Sequence, residues 1–205
     1  ENHAKAGAKR RNEPLAPEWY EQPVYYKGNP RSIIGPGATI PWPAFTRKLD
    51  FEFEIAAVVG TAGRDIPVGK AARHIAGYIV MNDCSARDIQ RNEMVCRMGP
   101  AKGKDFATVL GPYFVTSDEW NGRIPELKVR VNGREWSRSK GVQPYWNFAT
   151  MLSHASQGED MLPTCLPPRF DLRAPGESHQ HGRSQRLGVA RWHQQPPASA
   201  AEEVG

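Results

Sequence analysis

The sequence predicts an α+β fold in which strands dominate. Three observations carry that prediction. Several stretches of strand length alternate apolar and polar residues or run apolar, Asn132-Gly133 directly follows one of them, and helical pieces are few and short. A chain of 205 residues with 39% apolar and 9% aromatic residues is long enough for one well-cored domain, so one domain plus some unstructured chain is the economical organisation.

Residues 1 to 48 read as loops leading into a sheet. They open with a helical piece at Ala4-Lys5-Ala6-Gly7-Ala8-Lys9, which Glu13-Pro14 ends because a residue before proline is pushed out of the helical region. The basic residues Lys5, Lys9, Arg10 and Arg11 form a solvated face of that piece. After the proline-punctuated Pro14-Leu15-Ala16-Pro17-Glu18-Trp19 comes a short strand candidate, Pro23-Val24-Tyr25-Tyr26. Turn chemistry follows at Lys27-Gly28-Asn29-Pro30 and at Gly35-Pro36-Gly37.

The first strong strand is Asp50 to Gly60. Within Leu49-Asp50-Phe51-Glu52-Phe53-Glu54-Ile55, strict alternation puts Asp50, Glu52 and Glu54 on one side and four large apolar side chains on the other. Residues two apart in a strand are roughly 6.5 to 7 Å apart, and like charges that close disfavour one another unless a cation lies between them. Such a row is either a solvated acidic edge that discourages aggregation, or half of a site for a hard, oxygen-seeking divalent ion. A second apolar strand, Ala76 to Asn82, runs into Asp83, a fourth carboxylate candidate, and Ser85 with Asp88 reads as a capping box opening a helix. On that helix Arg87 and Gln90, three apart, share a face suited to a bound carboxylate or keto oxygen.

The loop Gly99-Pro100-Ala101-Lys102-Gly103-Lys104-Asp105-Phe106-Ala107-Thr108 carries two lysines and a threonine but lacks phosphate-loop spacing. Strands at Gly111 to Thr116 and Leu127 to Val131 follow, the latter closing at Asn132-Gly133 as a hairpin, and a helical piece spans Trp146 to Ser156. From Thr164 to Gly205 the chain has no Lys, Ile or Tyr, is rich in Gln, His, Pro and Ser, and loses periodicity, so residues 164–205 read as a disordered tail. His179, His181 and His193 in it match no structural zinc spacing.

Composition excludes several classes. The formal charge of +5 comes from scattered or terminal cations with no interleaved aromatics, which argues against a nucleic-acid partner. No apolar run is of spanning length and the opening residues are polar, so neither a membrane helix nor a signal peptide is expected. Three cysteines, Cys84, Cys96 and Cys165, without paired spacing fit a reducing cytoplasm.

Taken together, Leu49-Asp50-Phe51-Glu52-Phe53-Glu54-Ile55-Ala56, Met81-Asn82-Asp83-Cys84-Ser85-Ala86-Arg87-Asp88-Ile89-Gln90 and Gly103-Lys104-Asp105-Phe106, in this order and spacing, resemble the fumarylacetoacetate hydrolase family. The likeness covers residues 1–163 and implies a mixed β-sandwich roll, incomplete at its C-terminal end. It also implies a homodimer when full length, and one divalent ion, Mg²⁺ or else Mn²⁺ or Ca²⁺. Family members cleave, decarboxylate or isomerise small oxo acids and diketones. Carried over by motif, Glu52, Glu54 and Asp83 correspond to metal ligands, with Thr108 near the metal and Asp50 in a supporting position. Arg87, Gln90 and Tyr26 correspond to substrate-binding residues, Lys104 to a lysine that polarises substrate, and His3 to the water-activating histidine of hydrolytic members.

The implied activity is metal-dependent hydrolysis of a carbon–carbon bond in a diketo or oxo acid resembling fumarylacetoacetate or an acylpyruvate. Decarboxylation or isomerisation of a related 2-oxo or 2-hydroxy-diene acid on the same fold is the alternative. Two departures raise a further one, a non-catalytic truncated fragment. The family's metal-binding aspartate seven residues before the histidine falls ahead of Glu1, and its Gly-Ser-Gly-Thr loop and closing strands do not follow Pro163. A change of reading frame or splice junction near Thr164 is the expectation, to be checked by sequencing the transcript across that codon.

Overall fold

A computed structural model describes residues 5, 8, 9 and 12–163; His3 and the expected tail lie outside the described residues. Its centre is a four-stranded mixed sheet in the order β1 (Ile33–Ile34), β4 (Thr108–Thr116), β3 (Ile75–Ala86) and β2 (Leu49–Val59). The long strands β2, β3 and β4 are antiparallel neighbours, and β1 adds a short parallel edge to β4. A separate hairpin joins β5 (Leu127–Val131) to β6 (Arg134–Ser139). Its turn has positive φ at both Asn132 (52°) and Gly133 (78°), the backbone that this dipeptide favours in a two-residue hairpin loop. Among the described residues, strand residues outnumber helical ones, as the patterning predicts.

Alternation along β2 decides where the core sits. Phe53 and Ile55 pack with Leu127 and Val129 of the hairpin, and Phe51 joins their margin. Further along the same strand, Ala57 and Val59 form a second cluster with Ile66, Leu152 and Ala155. That cluster is closed by the single turn α1 (Val68–Ala71) and by α3 (Phe148–Ala155). The side chain of Asn147 caps α3 by accepting the Thr150 amide at 2.9 Å. With one face of β2 committed to apolar packing, its carboxylates turn to the other. No helix among the described residues is long and apolar enough to cross a membrane.

Two local expectations are corrected. Pro23-Val24-Tyr25-Tyr26 is not a strand element; the short edge strand is Ile33–Ile34, since Pro23 has no amide to give a ladder and the Tyr26 hydroxyl is drawn to Asp83. Nor do Ser85 and Asp88 form a capping box. Pairing with β2 carries β3 four residues past Asn82, to Ala86 opposite Leu49, so Ser85 stays in the sheet and donates to the Asp83 carbonyl at 3.1 Å. The helix α2 (Arg87–Val95) then begins with no side-chain cap at Ala86.

Asp88 serves a different purpose, tying the chain before β2 to the start of α2. Its carboxylate accepts from the Thr46 hydroxyl, from the Arg47 amide at 2.9 Å and from the Ile89 amide at 3.0 Å. Burial pushes the Asp88 carboxyl upward, but these hydrogen bonds outweigh it and hold the group below the usual 3.8. A carboxyl depressed by folding contributes stability above its unfolded value and loses it as pH falls through the folded one. Asp88→Asn is therefore expected to cost about 1 kcal/mol at pH 7 by urea denaturation. That deficit should persist down to about pH 4 and vanish at lower pH.

Candidate functional site

Strand register puts the acidic residues in a row. Glu52 pairs with Asp83 and Asp83 with Thr108, so one line of side chains crosses β2, β3 and β4 at an interstrand spacing of about 4.8 Å. Directly paired residues project from the same face, and Glu54 joins them through the period of two along β2. Oxygens of Glu52, Glu54 and Asp83 lie within 4.8 Å of one another. All three residues are buried, at 2%, 2% and 0% exposure, and Thr108 is fully buried beside them.

Carboxylates gathered out of water need positive charge close by. Lys104, itself 1% exposed, places Nζ 2.7 Å from Glu52 Oε2 and 2.9 Å from Asp83 Oδ2. From the first residue of α2, Arg87 spans two positions of the acidic row: Nε donates to Asp50 Oδ2 at 2.6 Å and Nη1 to Glu52 Oε1. Nη1 also donates to Gln90 Oε1 at 2.9 Å, so the two residues three apart on the helix do share a face. A guanidinium at a helix N-terminus is unfavourably placed against the helix dipole, and the two carboxylates hold it there. The Tyr26 hydroxyl completes the cluster by donating to Asp83 Oδ2.

Tyr26, Glu52, Glu54, Asp83, Arg87, Gln90, Lys104 and Thr108 are thus brought to one place, while His3 lies outside the described residues. Ionised, Asp50, Glu52, Glu54 and Asp83 bring four negative charges and Arg87 and Lys104 return two, a remainder that a divalent cation would balance. The ligand atoms are all oxygen, the chemistry preferred by hard cations such as Mg²⁺ and Ca²⁺, so the donor set fits such an ion.

Sequence reasoning left Asp50 without a partner, although its period with Glu52 is what lets one guanidinium reach both. Arg87→Met is expected to destabilise the protein by about 3 kcal/mol in urea denaturation, because a buried carboxylate loses a charged partner. Arg87→Lys should recover only part of that loss, since one ammonium cannot reproduce the fork.

Known proteins resemble this chain in sequence and in fold. Residues 1–164 match the family model described as fumarylacetoacetate (FAA) hydrolase C-terminal. The fumarylacetoacetase of Oryza sativa subsp. japonica is 39% identical over 122 residues, which cover 51% of this chain and 28% of that protein. Among solved structures, the fumarylacetoacetate hydrolase of psychrophilic Exiguobacterium antarcticum superposes with a TM-score of 0.60 at 32% identity, covering 67% of this chain and 50% of that one. The 5-carboxymethyl-2-hydroxymuconate delta-isomerase of Mycobacterium smegmatis gives 0.57 at 34% identity, covering 65% and 51%. The matched region therefore spans under a third of the rice enzyme and about half of each solved chain. Since the family model matches residues 1–164, most of its length, the chain belongs to the fumarylacetoacetate hydrolase family, in the part that forms the C-terminal domain.

Proposed function

We propose that this chain carries the centre of a divalent-cation-dependent hydrolase that cleaves a carbon–carbon bond next to a carbonyl in a small diketo or oxo acid. The observation that carries the reading is the meeting of three buried carboxylates with Lys104 and Arg87 on one sheet face. Glu52, Glu54 and Asp83 hold the cation, with Thr108 beside them. Mg²⁺ is the first choice, and Mn²⁺ and Ca²⁺ share its preference for oxygen. When bound, the ion supplies Lewis acidity toward substrate oxygens.

The rest is the work of the chain's own side chains. The Arg87 guanidinium and the Gln90 amide, already in contact, recognise a substrate carboxylate or keto oxygen, and Tyr26 borders the same space. Lys104 and Arg87 set fixed positive charge where negative charge grows as the carbon–carbon bond breaks. His3 takes a proton from the attacking water. In this reading the full-length protein is a cytoplasmic homodimer acting on a small molecule, with neither nucleic acid nor membrane as partner.

A second reading, isomerisation or decarboxylation of a related acid, is favoured by the 34% identical Mycobacterium smegmatis relative, which is named an isomerase. Removing the water-activating base separates the two. His3→Ala should abolish hydrolysis of acylpyruvates while sparing isomerisation or oxaloacetate decarboxylation. The third reading, a non-catalytic fragment, predicts weak or no metal binding and no turnover of either substrate class, whereas tight binding without turnover marks a degraded enzyme.

Calorimetric titration of the purified chain with Mg²⁺ and Mn²⁺, alongside those assays, tests the proposal. Binding should weaken by at least about tenfold in Glu54→Gln, with turnover lost in parallel. A wild-type chain that binds neither ion would sink the metal-centred reading.

A further inference from the structure

Glu93 follows Gln90 by three residues on α2, a further step around the helix from Arg87. The side chains of Arg87 and Gln90 meet in the site. That of Glu93 turns away from the acidic row and grips the loop that bears Lys104. Its carboxylate accepts the Ala101 amide at 3.0 Å, and both of its oxygens accept the Gly103 amide, at 3.3 and 3.2 Å. The loop is closed on itself by the Lys104 and Asp105 amides, which donate to the Ala101 carbonyl at 2.9 and 3.0 Å. The Gly103 carbonyl in turn accepts the Ala86 amide at 2.8 Å, at the end of β3.

Packing between loop and helix is too close for side chains. A Cβ added at Gly99 would lie 2.5 Å from Glu93 Cβ, and one added at Gly103 would lie 2.8 Å from the Gln90 nitrogen. On the far side, the Asn29 amide donates to Asp105 Oδ1 at 3.2 Å, three residues after Tyr26. The backbone of Lys104 is therefore fastened from α2 on one side and from the Tyr26 segment on the other.

We propose that Glu93 is the positioning residue for Lys104: by fastening the amides of Ala101 and Gly103 to α2, it sets the reach of the Lys104 ammonium to Glu52 and Asp83. The inference rests on the reading above only in treating Lys104 as a residue of the site. Glu93 touches none of the acidic ligands, and its effect passes through the loop.

The test is native acetylation of the full chain with sulfosuccinimidyl acetate, with labelling of Lys104 measured by peptide mass spectrometry relative to Lys102, the exposed lysine on the same loop. Hydrogen exchange of the β5–β6 hairpin monitors the fold independently. Glu93→Ala is expected to raise the Lys104 to Lys102 ratio by at least about tenfold through local opening, with hairpin exchange unchanged. Glu93→Gln keeps an acceptor oxygen and should rescue most of the protection. Gly103→Ala, which forces a methyl group against Gln90, should reproduce the Glu93→Ala result by a separate route.

A wild-type ratio in both Glu93→Ala and Gly103→Ala overturns the proposal. So does a rise that comes only with faster exchange throughout the hairpin, because that marks general loss of the fold. Failure of the Mg²⁺ and Mn²⁺ titrations with the ratio rising as expected would remove the metal-centred reading and leave the role of Glu93 standing. Normal metal binding with an unmoved ratio would do the reverse.

Discussion

The site depends on the pairing of β2 with β3, because that ladder sets Glu52 opposite Asp83 and, through β4, Asp83 opposite Thr108. A slip of one residue would carry every side chain of β2 to the other face, sending Glu52 and Glu54 into the packing against Leu127 and Val129. The apolar half of the alternation forbids that slip. Phe53 and Ile55 have buried neighbours only in the observed register, so hydrophobic packing on one face fixes the electrostatics of the other. Fold and site are two consequences of a single period of two.

The acidic face has no comparable stabilising role. A buried ion-pair network such as Lys104 with Glu52 and Asp83 takes several charges out of water, and well-packed apolar residues of similar volume are often neutral or better in its place. Its cost is offset locally: Arg87 is shared between Asp50 and Glu52, and the Tyr26 hydroxyl donates to Asp83. The offset is partial, since the four carboxylates face two cations, and the excess of negative charge is what sets this cluster apart from an ordinary buried ion pair.

How much of this was legible in the sequence follows the range of the interactions. The carboxylate face of β2, the Asn132-Gly133 hairpin and the shared face of Arg87 and Gln90 are set by backbone periods of a few residues, and all three stand in the structure. The end of β3 was not legible, because its last turn toward Ala86 is decided by a partner strand some thirty-five residues earlier rather than by local capping chemistry. For the same reason Ser85 and Asp88 satisfied a local pattern and were used otherwise, one by the sheet and one by Thr46 and Arg47. Motif likeness pointed to Lys104, but nothing in its loop revealed that Glu93 would fasten it. That contact exists only once the loop folds back on the helix.

A division of labour follows from where the charges are attached. The anions sit on β2 and β3, in the ladder whose register the core fixes, whereas both cations and Gln90 belong to the single connection from β3 to β4. Strand residues can barely move without breaking that ladder, while a helix and loop fastened by a few side-chain hydrogen bonds can be adjusted piece by piece. One acidic row can thus be combined with differently placed cations without any change in strand register. The placement of positive charge at the site is therefore decided between Arg87 and Thr108, and that of negative charge by the ladder of β2 with β3.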